Sequence, residues 1–214
     1  MTHSTGISDG AESTGRGGRR RAERPLTPAG ARVLETASRL FYEQGLRAVG
    51  VEAIADEAGV TKKTLYDRFG SKDDLILAYL RARDELWRST LVGFVEEQGG
   101  TPVERLLASF RALDAWQKER NQRGCAFVNA HVELPEDHPG QRVAREQKAW
   151  MLDYFEGLAA DAGAADPGLL ARQLLILHEG ACIAHSMKSV DSPAVVAEEM
   201  VTALIERSVA PTSA

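Results

Sequence analysis

Gly59-Val60-Thr61-Lys62-Lys63-Thr64-Leu65-Tyr66-Asp67-Arg68-Phe69-Gly70-Ser71-Lys72-Asp73-Asp74 contains a turn, a short helix, a second turn and the start of a longer helix. Gly59 suits the left-handed end of a preceding helix. Thr61 is a good N-cap, because its hydroxyl can accept a backbone N–H of the next turn. Leu65 and Phe69 lie four apart and anchor one face in a core. Lys62, Lys63, Thr64, Tyr66 and Arg68 are then left outside, at a helix start whose dipole also favours anions. Gly70 ends this helix, and Ser71 to Asp74 has the S-x-x-D form of a capping box for the next. Just upstream, Val51, Ile54, Ala55 and Ala58 share one face of another short helix. Helix, glycine turn and short helix is the helix-turn-helix arrangement, whose second helix enters the major groove. Taken alone, the pattern also fits two short surface helices with a basic patch.

The side chains that fix the pattern go further. Ile54-Ala55, Ala58-Gly59-Val60, Thr64-Leu65-Tyr66, Phe69 and Ser71-Lys72-Asp73-Asp74-Leu75 resemble the DNA-binding region of the TetR family of bacterial transcriptional repressors. The resemblance covers roughly residues 28–75. It implies an operator of double-stranded DNA, a homodimer and a small-molecule effector. It also implies a dimer interface built from the last two helices and a ligand pocket enclosed by the mid-chain helices. Thr61, Lys62, Lys63, Thr64, Tyr66, Arg68 and Lys72 form the expected DNA-binding set. Lys62, Lys63 and Thr64 are placed for base edges, and Tyr66 and Lys72 for phosphates. Two positions depart from the family pattern. Gly50 stands where a Ser or Thr usually precedes the second helix, and Lys63 stands where a small residue is common.

The net charge of −5 looks unfavourable for DNA, but its distribution is polarised. Residues 16–72 carry 12 Lys and Arg against 7 Asp and Glu, net +5, whereas residues 73–214 are net −8. DNA is therefore to be met by one end of the molecule. No apolar run approaches the length of a membrane span, and no apolar stretch follows the N-terminal arginines, so a cytoplasmic protein that does not contact membrane is expected. The two cysteines, Cys125 and Cys182, form no disulfide framework or metal motif.

Residues 1–24 are rich in Gly, Ser, Thr and Arg and should be disordered. Their run Arg16-Gly17-Gly18-Arg19-Arg20-Arg21 reads either as an arm for phosphates or a minor groove, or as a solvated tail. Thr27-Pro28 opens the first helix, and the same N-cap-plus-Pro device recurs at Thr101-Pro102, Asp166-Pro167 and Ser192-Pro193. No segment alternates with period two between hairpin turns. The fold class is therefore all-α: an N-terminal three-helix domain (25–71) joined to a C-terminal bundle of about six helices (72–209), with a loose tail (210–214). The long helix from Lys72 to about Glu97 is expected to bury Leu75, Ala78, Tyr79, Ala82, Leu86 and Phe94, with Leu86 and Phe94 towards the pocket. Pro135 to Gly140 reads as a loop before a helix beginning near Gln141.

The helix from Pro167 to about Lys188 is apolar on two sides. Leu170, Leu174, Leu177 and Ala181 lie on one side and Ile176, Gly180, Ile183 and Met187 on the other, so it needs two partners. The second partner is read as another subunit. Phe110, Trp116, Phe127, His131, Trp150, Tyr154, His178 and Cys182 are candidate ligand contacts in an apolar pocket with a few polar groups. Each also reads as an ordinary core residue. His178, Cys182 and His185 share a helix face, but the strong zinc spacings are absent, so neither metal nor cofactor is expected. No phosphate loop, nucleophile elbow or His-Glu-x-x-His motif occurs, so no enzyme is expected. The remaining alternatives are a small helical enzyme and a thiol redox-sensing regulator using Cys125 or Cys182. Apolar surroundings would keep both thiols inert.

Overall fold

The computed structural model describes residues 26–209, so the Arg16–Arg21 run and the 210–214 tail lie outside the described residues. The described chain is all-α: α1 (Pro28–Gln44), α2 (Val51–Glu57), α3 (Lys62–Phe69), α4 (Lys72–Gln98), α5 (Pro102–Arg120), α6 (Ala126–Glu133), α7 (Pro139–Asp161), α8 (Pro167–Met187) and α9 (Pro193–Ser208). One isolated bridge, Ala164 to Val209, ties the α7–α8 turn to the end of α9.

The helix boundaries follow local chemistry. Thr27 Oγ1 accepts from Gly30 N at 3.2 Å and Pro28 sits at the first turn. Thr101 and Glu104 complete a reciprocal capping box on α5, with bonds of 3.3 and 2.7 Å. At α4 the box is altered. Ser71 Oγ accepts from Asp74 N at 3.0 Å, but the Asp74 carboxylate takes the Ser71 hydroxyl instead of reaching its backbone N–H. Gly70 ends α3 at φ 90°, a conformation that favours glycine. The loop expected up to Gly140 is shorter than its sequence implies. His138 is the N-cap, its Nδ1 accepting from Gly140 N at 2.9 Å, and Pro139 begins α7. A Cβ at Gly140 would stand 2.6 Å from Leu134 Cδ1, so this glycine permits close packing of α7 on α6 rather than marking a break.

Two hydrophobic cores form. One gathers Val33, Leu40 and Phe41 of α1, Ile54 of α2, Leu65 of α3, Leu75, Ile76, Tyr79 and Leu80 of α4, and Phe127, Leu134, Val143 and Ala144 from α6 and the start of α7. The second joins Trp87, Leu91 and Val95 of α4 to α5, α7, α8 and α9. The inner stripe of α4 therefore differs in part from the expected one. Ile76, Leu80, Trp87, Leu91 and Val95 are buried, while Leu86 is 40% exposed and Phe94 only half-buried. Leu75 and Tyr79 of the expected stripe are buried, but a 27-residue helix that feeds two cores changes its buried face along its length, and Leu86 and Phe94 fall outside it.

Candidate functional site

The outer face of α3 is held ready by local bonds. Thr61 Oγ1 accepts from Thr64 N at 3.1 Å, and the two threonine hydroxyls lie 2.9 Å apart. Leu65 is fully buried and fixes the helix rotation, so Lys62, Lys63, Thr64 and Tyr66 are exposed. Each lysine has an acidic partner. Lys63 Nζ lies 2.6 Å from Asp67 Oδ2 one turn further on, and Lys62 is paired with Glu52 of α2. Hydrogen bonding within these pairs raises both lysines above the usual range and lowers Glu52 below its own. Arg68 is directed elsewhere: its side chain lies across Gly30 of α1, where a Cβ would be 3.1 Å from Nε. Lys72 is half-buried in the first turn of α4. Gly50 caps α2 without a side-chain bond, leaving that helix start bare.

Above this unit the α5–α6 loop binds α1. Tyr42 Oη donates to Gly124 O at 3.0 Å, accepts from Arg123 N at 2.9 Å and lies 3.3 Å from Asn121 Oδ1. Burial is the main cause of the raised Tyr42 pKa. The Arg83 guanidinium sits over the rings of Tyr42 (4.5 Å) and Trp116 (4.8 Å). Glu133 of α6 accepts Leu46 N at 2.6 Å and Arg47 N at 3.2 Å, tying α6 to the α1–α2 turn. An open groove of about 470 Å³ runs along this junction, lined by Glu35, Arg39, Tyr42, Arg83, Glu119 and Arg123 among others.

The second core has a polar centre. His178 of α8 is buried among the rings of Trp87, Phe155 and Phe110, at centroid distances of 5.7, 6.0 and 6.4 Å. Its Nδ1 stands 3.3 Å from Glu179 Oε1. Burial lowers its pKa, so the ring is neutral; a carboxylate only accepts, so Nδ1 carries the proton and Nε2 is an acceptor. That Nε2 is buried without a hydrogen-bond partner, as are Gln117 Nε2 and Gln147 Oε1. Lys148 Nζ reaches Glu179 Oε1 at 2.7 Å and Cys125 Sγ at 3.2 Å. Burial opposes charge on both members of the Lys148–Glu179 pair, but their partners outweigh it. Lys148 is held above the usual lysine range by Cys125 and Glu179, and Glu179 falls to about 2 through His178 and Lys148. Burial raises the Cys182 thiol well above its ordinary value. The apolar setting expected for both thiols is found at Cys182, which is buried, whereas Cys125, at the start of α6, is only half-buried and lies beside the Lys148 ammonium.

The eight expected ligand contacts do not share one space. Phe110, Trp116 and Cys182 lie in the second core with His178 beside Phe110, and Trp150 and Tyr154 pack against the same core. Phe127 belongs to the first core. His131 is exposed at the end of α6, its Nδ1 2.6 Å from Gln141 Oε1. Trp150 and Tyr154 stack at 5.2 Å as a half-buried pair, with Arg88 over the Trp150 ring at 4.6 Å. Trp87, Gln117 and Gln147 were missed. The glutamines read as surface residues, and only the polar atoms left unpaired on burial single them out. Among the described residues no group of three or more His, Cys, Asp or Glu is placed to hold a metal ion, and no helix is long and apolar enough to cross a membrane.

Helices α8 and α9 bury one side each and leave a second apolar side open. Ile176 and Met187 are each 71% exposed, and Ile183, Val195, Val196 and Met200 are exposed as well. Gly180 lies between them, with nothing within 4 Å of an added Cβ.

Comparison with known proteins matches residues 33–79 to the family described as bacterial regulatory proteins, tetR family. The HTH-type transcriptional activator FasR of Mycolicibacterium smegmatis is 42% identical over 152 residues, 69% of this chain and 67% of FasR. The repressor KstR2 of the same organism is 33% identical over 142 residues, 63% of this chain and 68% of its own. A crystal structure of a TetR-family regulator from Streptomyces coelicolor superposes with a TM-score of 0.79 at 33% identity, covering 85% of this chain and 96% of that one. The exposed second helix of the N-terminal motif, the all-α architecture and these likenesses over most of both chains agree, and the chain belongs to the TetR family of bacterial transcriptional regulators.

Proposed function

We propose that this DNA-binding transcriptional regulator is a homodimeric repressor released by a small-molecule effector. Residues 25–71 present α3 to an operator in the cytoplasm, and residues 72–209 dimerise and hold the effector. The carrying observation is that Gln117 Nε2, Gln147 Oε1 and His178 Nε2, on three different helices, are buried without a hydrogen-bond partner. Each such atom costs free energy unless something satisfies it, and an uncharged ligand with an apolar body and at least one hydroxyl supplies both contacts. The Lys148–Glu179 pair is internally neutralised and gives a charged ligand little additional attraction. The open apolar side of α8 and α9, with Ile176, Gly180, Ile183 and Met187, supports the dimer. A compound library screened by thermal shift, followed by operator release, tests this reading. His178→Ala and Gln117→Ala should blunt release and leave operator binding without ligand nearly intact. A set of stabilising compounds none of which releases DNA would overturn it.

A second reading has one observation in its favour. Cys125 Sγ lies 3.2 Å from the Lys148 ammonium at a helix start and is only half-buried, so a reagent can reach it. A thiol-responsive regulator would lose operator binding on modification of Cys125, and Cys125→Ser would abolish that response.

A further inference from the structure

We propose that Glu52 and Asp67 are specificity residues of the DNA-reading surface, holding Lys62 and Lys63 in ion pairs that discourage random DNA and, with Lys63, matching the edge of a G·C pair. The inference rests on α3 being the helix that faces DNA. The face carries three cations, Lys62, Lys63 and Arg68, and two anions, Glu52 and Asp67. Lys62 is bonded to Glu52 on the neighbouring helix and Lys63 to Asp67 at 2.6 Å, while Arg68 lies back on α1. The base-reading face of α3 is therefore nearly neutralised, although Lys72 lies beside it and the N-terminal third of the chain is basic. A surface selected only for phosphate affinity gains nothing from carboxylates at its centre.

Two physical consequences follow. On random DNA, each lysine must either leave its carboxylate or carry it towards the phosphates, and both reduce the counterion release that drives non-specific binding. Exposed pairs of this kind are weak, so the penalty is at most about fivefold per pair. On a cognate site the Lys63–Asp67 pair need not break. A lysine donates to guanine O6 and N7, and a carboxylate accepts from cytosine N4, both in the major groove. Lys63 engages Asp67 Oδ2, which leaves the second carboxylate oxygen for such an amino donor. The carboxylate thus opposes binding to a phosphate and favours binding to a G·C edge.

The test begins with selection of a duplex from a random pool by the full chain. Affinity for the selected duplex and for a scrambled one is then measured across a salt series with wild type, Glu52→Gln and Asp67→Asn. Both variants should bind the scrambled duplex up to about fivefold more tightly, with a salt slope steeper by up to about 0.9. Their ratio of selected to scrambled affinity should fall. Repeating the selection with Asp67→Asn should lose a G·C preference at one position of each half-site. Equal changes on both duplexes, or an unaltered base preference with Asp67→Asn, would overturn the proposal. The parent reading fails differently: the double variant Lys62→Ala, Lys63→Ala would bind both duplexes like wild type, or the wild-type chain would enrich no duplex.

Discussion

Two residues illustrate how single side chains set the behaviour of this regulator. Gly50 caps α2 with φ −85° and ψ 154°, a backbone any residue adopts, and the nearest atom to an added Cβ is Glu52 Oε2 at 3.6 Å. Gly50→Ser is therefore sterically free. It should stabilise the protein by a few tenths of a kcal/mol, measured by chemical denaturation, because serine caps slightly better than glycine. It should also strengthen binding to all duplexes alike, since a hydroxyl there meets backbone and not bases. His178 governs a pH dependence. Its pKa is lowered by burial from the ordinary 6.5, so below 6.5 the unfolded chain binds a proton that the folded chain refuses. The stability contributed by keeping this ring neutral is complete above pH 6.5 and is lost as pH falls below it. His178→Gln should flatten the fall of the melting temperature below pH 6.5, while a separate decline remains below 4.5 as Glu179, still held low by Lys148, is forced to take a proton. An unchanged pH profile in His178→Gln would show that other groups set it.

Among the helices, α8 is the most exposed to test. Its buried side packs Leu170, Leu174 and Ala181 into the second core, and its open side carries Ile176, Ile183 and Met187. Ile183→Glu would bury a charge in an apolar seam and should convert the dimer to monomers by sedimentation, with loss of specific operator binding. A protein still dimeric would place the interface elsewhere. The two-sided character of α8 was legible from spacing, as were the N-caps at Thr27, Thr61, Ser71, Thr101 and Asp166 and the orientation of α3 set by Leu65. These features are local and each is written within a turn or two of chain. The buried stripe of α4 was legible only at its start, at Leu75 and Tyr79, because the helix changes partners halfway along and no single period describes it. Nor was the polar centre. Gln117 and Gln147 look like solvent residues until packing removes their water, and the split of the aromatic residues between two cores depends on how α6 folds back, which spacing does not encode.

At the scale of the molecule, the covalent link through α4 is only one of the connections between the two cores. Asn121 Nδ2 lies 3.9 Å from Cys182 Sγ, beside the polar centre, and its Oδ1 lies 3.3 Å from Tyr42 Oη on α1. The α5–α6 loop thus touches α8 on one side and the DNA-facing unit on the other. Tyr42→Phe should cost about 1 kcal/mol of stability, a typical net loss for a hydrogen bond. It should also weaken the link between effector and operator. In wild type that coupling is expected at about 1–3 kcal/mol, a 5–150-fold change, equal in both directions by linkage. Effector titrations with and without operator measure it, and the two affinities should converge in Tyr42→Phe. Equal convergence in wild type would remove the allosteric link altogether.

Because α6 and the first turns of α7 close the same core as α1 to α4, the DNA-reading unit is not a contiguous piece of chain. Exchanging residues 26–71 between relatives would set a foreign Val33, Leu40 and Ile54 against a resident Phe127, Leu134 and Val143. Chimeras cut there should fold poorly, whereas those that transplant residues 126–144 together with 26–80 keep the seam intact. Across related sequences these two distant stretches should therefore vary in step, which an alignment of homologues would check.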